Sequence, residues 1–169
     1  MKSTLRSLTA IVALALATTT HAADPALPAS LLAEKAPKDA VSVVKARENA
    51  KPGEAVVLRG KIGGRKIALL PKFAMAVLAD EKAITSCNDM PGDSCKTPWD
   101  YCCESPEKLS SSTATIQVRD EKGKILRTPL RGLGELKELS LVVISGTVDP
   151  ASTKDNLIVN ATSIFVEKP

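Results

Sequence analysis

The residues best equipped for chemistry in this chain are its four cysteines, Cys87, Cys95, Cys102 and Cys103. They fall in one short stretch with the only tryptophan, Trp99, and the only tyrosine, Tyr101. Four thiols can do three things. They can close two structural disulfides, the usual reading of an even cysteine count in an exported chain. They can hold a metal ion as thiolates, although structural zinc sites prefer paired Cys-x-x-Cys knuckles and this spacing has none. They can exchange electrons through Cys102-Cys103, although the usual exchange motif puts two residues between its cysteines beside a helix N-terminus. The first reading is the expectation. Adjacent side chains in extended backbone point to opposite sides, and a ring between neighbours is strained. Cys102 and Cys103 are therefore expected to pair with different distant partners, Cys87 or Cys95, in either crossing.

Trp99, Asp100 and Tyr101 sit between the second and third cysteines. A Trp in a bridged loop commonly packs over the bridge. The same three residues are also a candidate contact surface, because Trp and Tyr serve as interface anchors. Asp89, Asp93, Asp100 and Glu104 lie close by, without calcium-loop spacing, and read as solvated. Gly92 to Cys103 reads Gly-Asp-Ser-Cys-Lys-Thr-Pro-Trp-Asp-Tyr-Cys-Cys. The string resembles one carried by exported proteins of planctomycete- and verrucomicrobium-type bacteria. That resemblance implies an exported context and no particular activity.

The N-terminus carries an address. Lys2 and Arg6 precede an apolar run from Leu8 to Ala17, and small residues end it at Ala22-Ala23. This is the pattern of a secretory signal peptide over residues 1–22, cleaved after Ala22 or Ala23. The apolar run is shorter than the roughly 20 residues a membrane span needs, so no span is expected after cleavage. Periplasmic or secreted localisation follows. The one histidine, His21, lies inside the signal. A mature chain without histidine has no Ser-His-Asp triad, Cys-His dyad or histidine-ligated metal. No phosphate loop or nucleophile elbow is present. The sequence leans away from an enzyme, and it assigns no catalytic residue, metal or cofactor. Of 23 basic and 19 acidic residues, the signal removes two basic ones, which leaves a net charge of +2. That balance, and the scarcity of aromatics for stacking, argue against single-stranded nucleic acid.

Elements must then position the cysteine stretch. Residues 23–38 are proline-rich and read as a linker, with a helical turn near Ser30 to Lys35. Residues 39–53 read as a short helix and lead-in, with Ala40, Val41 and Val44 on its apolar side and Pro52-Gly53 ending it. From 54 onward the apolar period becomes two. Val56, Leu58, Gly60 and Ile62 alternate with polar or outward positions, and so do Ala114, Ile116 and Val118. Phe73, Met75, Val77 and Ala79 make a weaker strand. Lys124 to Leu130 is another extended piece, a short helix is expected from Gly132, and Leu141 to Val148 and Leu157 to Val166 complete the set. Phe73 and Phe165 are expected in the core. This order resembles an OB-fold, a small five-stranded Greek-key barrel with one short helix. Its domain would span 54–169, with the Cys-rich insertion at 81–112 between strands 2 and 3. Glycines inside two strands, Gly60 and Gly146, suit the sharp bends of a small barrel. The implied function is an exported binding or structural module whose ligand is a protein, a peptide or an envelope polymer. A thiolate metal or redox carrier is the alternative, and single-stranded nucleic-acid binding ranks below it.

Overall fold

The computed structural model describes residues 26–168, so the signal segment lies outside the described residues. The described residues begin with a 3-10 turn at Ala29–Leu31. A two-residue strand β1 (Val41–Ser42) leads directly into helix α1 (Val43–Asn49). Five longer strands follow: β2 (Ala55–Ile62), β3 (Met75–Ala79), β4 (Thr113–Gln117), β5 (Leu141–Val148) and β6 (Leu157–Val166). Helix α2 (Pro106–Ser111) lies in the insertion before β4.

The five long strands close on themselves. β2 pairs with β3, β3 with β4, β6 with β5 and β5 with β2, all antiparallel. The remaining pair, β4 with β6, is parallel. This is the closed, OB-like barrel expected from the strand order, in which the third and fifth strands run side by side. Closure removes the free edges that an open sheet of this length would expose. The interior is filled by one face of each strand, including Leu58, Ile62, Leu78, Ile116, Val142, Ile144, Val159 and Ile164.

The two strand glycines are sites of close backbone approach. A Cβ on Gly60 would meet the Ala79 carbonyl oxygen at 2.5 Å, and one on Gly146 would collide with the Asn160 carbonyl. The β5–β6 register slips between Ser145 and Gly146, so a bulge bends the barrel there.

Several expectations need correction. In β3 the buried face is Ala76 and Leu78, with Met75 and Val77 only half-buried. Neither phenylalanine is in the core: Phe73 and Phe165 are both half-buried. Phe73 lies outside its strand, with the Arg127 guanidinium 5.9 Å above its ring. Helix α1 buries Val43 and Ala46, because Val41 is drawn into pairing with Leu58 of β2. The helix expected from Gly132 is only a 3-10 turn at Leu133–Glu135, since Gly134 and Glu135 adopt positive φ. The proline-rich lead-in does more than connect. Leu31 is buried, and the Ala33 N–H donates to the Ile164 carbonyl of β6.

Candidate functional site

The insertion joins β3 to β4 and folds as a lobe on the barrel's end. Its neck is closed by the Asp80 N–H donating to the Ser112 carbonyl at 2.8 Å. Asp80 is itself buried. Its carboxylate accepts from the Val44, Lys82 and Ala83 N–H groups, tying α1 to the neck. Burial raises the pKa of Asp80, but those N–H donors and the Ser42 hydroxyl together outweigh it and hold the carboxyl below its ordinary value.

Tyr101 is the lobe's core. It is fully buried and packs with Ala79, Ile84 and Leu109. Its ring presses on the barrel at Gly63, where an added Cβ would meet Tyr101 Cε2 at 2.7 Å and the Trp99 carbonyl oxygen at 2.8 Å. The Gly64 N–H donates to that same Trp99 carbonyl, and Trp99 Nε1 donates to the Lys66 carbonyl. Lys61 of β2 reaches Asp89 at 2.6 Å. The lobe is therefore docked through backbone and charge as well as through packing. Tyr101 adopts a positive φ of 57°, and its buried hydroxyl has the Ser86 side chain as a polar neighbour but no hydrogen bond of good geometry. Burial pushes its phenol up to about 12. Of the three candidate contact residues, Tyr101 is thus interior, whereas Trp99 and Asp100 stay half-exposed.

The four cysteines converge beside Tyr101. Cys87, in a 3-10 turn at Cys87–Asp89, is buried, and Cys102 and Cys103 are exposed. The Cys102 Sγ lies 3.1 Å from the Cys95 Sγ and 3.6 Å from the Cys87 Sγ. The sulfurs of Cys87, Cys102 and Cys103 all lie within 4.8 Å of one another, and those of Cys87 and Cys95 lie within 4.8 Å of each other and of an Asp93 carboxylate oxygen. No pair is at the roughly 2.05 Å of a disulfide bond. The cysteines expected to bridge are near one another without being at bonding distance. The reason lies in the backbone. Tyr101 takes the left-handed conformation and Cys102-Cys103 form a turn, so both sulfurs face Cys87.

Two aspartates set this arrangement. Asp93 accepts from the Cys95 N–H, and Asp100 accepts from the Cys102 N–H, each two residues ahead of its cysteine. Both are Asx turns, in which a short carboxylate holds the backbone two residues on. Asp100 also accepts from the Thr97 hydroxyl at 2.7 Å. Asp89 accepts from Ser86 and Lys61, and Glu104 from the Thr85 N–H and Lys108. These acids accept hydrogen bonds that hold the lobe together, although Asp89 stays exposed as expected, and the repeated Asp-x-Cys spacing was the signal for the Asp93 and Asp100 turns. Burial raises the Cys87 thiol, but hydrogen bonds from the Cys102 thiol and from the Cys103 and Cys102 backbone N–H groups win and draw it below an ordinary thiol. Contacts with Cys95 and Cys87 push Cys102 the other way.

A recess of about 340 Å³ lies elsewhere, between Arg47, Val148, Lys154 and Leu157. Its one guanidinium is committed, since Arg47 donates to the Thr113 and Lys154 carbonyls. Among the described residues no helix is long and apolar enough to cross a membrane. No family model matches this chain, and no curated protein or solved structure does either.

Proposed function

We propose that this protein is an exported binding module in which the barrel is the scaffold and the cysteine lobe faces the partner. One observation supports this most directly. The lobe is fixed to the barrel as one body, and beside it the chain leaves Ile67 61% exposed. Ile67 follows Lys66, whose carbonyl accepts from the half-exposed Trp99. An indole held by its own N–H beside an uncovered aliphatic side chain suits a protein, a peptide or an envelope polymer with apolar faces. Single-stranded nucleic acid fits poorly, because it needs a basic groove lined with stacking rings.

The test uses the chain as a cell exports it. Its intact mass should begin at Ala23 or Asp24. Trp99, the only indole, reports binding by its own fluorescence. Titration with envelope polymers and with envelope protein fractions should change that emission, and titration with oligonucleotides should not. Oligonucleotide binding tighter than micromolar, weakening by roughly one log unit per log unit of salt for each phosphate neutralised, would overturn the reading. So would a mass that retains Met1.

A further inference from the structure

We infer that Cys87, Cys95, Cys102 and Cys103 together form a thiolate site for one thiophilic d10 cation, zinc(II) or copper(I). This goes beyond the binding-module reading and does not depend on it.

The sulfurs are arranged as a cluster rather than as pairs. Disulfides give each sulfur one partner. Here Cys102 has two near neighbours, Cys95 at 3.1 Å and Cys87 at 3.6 Å. Cys87 in turn lies within 4.8 Å of Cys102, Cys103 and Cys95 alike. A tetrahedral ion with metal–sulfur bonds of ~2.3 Å holds its sulfurs about 3.7 Å apart. The Cys87–Cys102 separation of 3.6 Å is close to that edge length, and the Cys87 sulfur is the common neighbour of the other three. The missing Cys-x-x-Cys knuckle is no obstacle, because the Asx turns at Asp93 and Asp100 present Cys95 and Cys102 from separate backbone segments.

The surroundings suit thiolates. Asp93 and Asp100 hold the Cys95 and Cys102 backbones by accepting from their N–H groups, the kind of outer contact that orients a ligating group. Thiolates are soft donors, which select zinc and copper(I) over magnesium or calcium. With Cys87 buried and Cys102 and Cys103 exposed, the ion enters from the solvent side of the lobe. Binding exchanges thiol protons for the cation and leaves all four sulfurs in the reduced state, so no oxidant or reductant takes part.

The experiment takes full-length protein exported by a cell, purified without chelator or reductant. Metal content and free thiols are then measured on the same sample. About one zinc or copper per chain, with four thiols that react only after denaturation and chelation, supports the site. Metal-free protein with four free thiols is titrated with cobalt(II). Stoichiometric, intense sulfur-to-cobalt absorption supports the site, and its absence overturns it. Native protein carrying two mapped disulfides and no metal overturns it, whatever the reduced protein binds. Cys87→Ser removes a buried side chain and risks unfolding the lobe. The deciding variant is therefore the exposed Cys102→Ser, expected to weaken metal binding at least about tenfold with Trp99 emission unchanged in the metal-free state. Full-affinity binding by Cys102→Ser overturns a four-thiolate site. Trp99 titration with envelope ligands is a separate signal, so either proposal can fail alone.

Discussion

Tyr101 shows how far one residue has been bent to a structural task. It is fully buried, stands at φ 57° and leaves its hydroxyl without a good partner. An unpaired buried hydroxyl costs about 1–3 kcal/mol. Tyr101→Phe should therefore leave the protein as stable or make it more so, while Tyr101→Ala should lose about 3–5 kcal/mol through the cavity it opens. Chemical denaturation followed by Trp99 fluorescence reads both. A clear loss of stability in Tyr101→Phe would mean that the hydroxyl is satisfied in solution. The sequence marked this residue as important and offered packing or contact as its role. Only its burial among Ala79, Ile84 and Leu109 selects packing. Asp93 and Asp100 carry the opposite lesson. Their spacing to Cys95 and Cys102 is visible in the sequence, yet a carboxylate in a polar loop looks the same whether it faces water or a backbone N–H.

Among the elements, the decisive junction is the β2–β3 corner against the insertion. Gly63 has no side chain because the Tyr101 ring and the Trp99 carbonyl occupy that space. Gly63→Ala would place a methyl group 2.7–2.8 Å from both, well inside contact distance. The expected outcome is an undocked lobe on an intact barrel. Trp99 emission shifts and the lobe becomes protease-sensitive, while far-ultraviolet circular dichroism keeps its β signal. Gly92→Ala is the control, since nothing lies within 4 Å of that position and its only cost is the positive φ of 77°. If both variants behave alike, the docking contact at Gly63 is not what holds the lobe. The position of the insertion between the second and third long strands was legible from the turn signals and the strand periods. The face of β3 was not, because Ala74, Ala76 and Ala79 carry too little hydrophobic contrast against Met75 and Val77.

For the molecule as a whole, two buried carboxylates link stability to pH. Asp149 accepts from Gln117, Arg119, Asn160 and the Ala151 N–H, joining β4, β6 and the loop after β5. Burial raises its pKa, yet the Ala151 N–H, Asn160 and Arg119 outweigh this, and Asp149 lies below its ordinary 3.8. Asp80 is lowered from the same value by the N–H groups at the lobe's neck. A carboxyl depressed on folding contributes stability that is fully present above its unfolded value and is lost as pH falls through the folded one. Thermal midpoints should therefore be flat with respect to these two groups from neutral pH to about 5, then drop steeply below pH 3.8. Asp149→Asn should lower stability at pH 7 by roughly 1–3 kcal/mol and flatten the acid limb. An unchanged limb would place the acid sensitivity elsewhere.

Periodicity and punctuation in the sequence determined the barrel. Alternating Val, Leu and Ile at 56–62, 114–118, 141–148 and 157–166, with glycines at 60 and 146, leave few ways to bury one face of each strand except by closing the sheet. Those signals are local, since each strand's pattern is carried by its own residues. The gathering of the four sulfurs was decided only by tertiary structure. Whether four thiols form pairs or a cluster depends on where three backbone segments cross. That is fixed by the left-handed turn at Tyr101, by the Asp93 and Asp100 turns, and by the docking of the lobe on Gly63. Spacing along the chain cannot encode that crossing. The distance between Cys95 and Cys102 in space is set by side chains and backbone groups lying between them and around them, and the linear separation bounds only how far apart they can be.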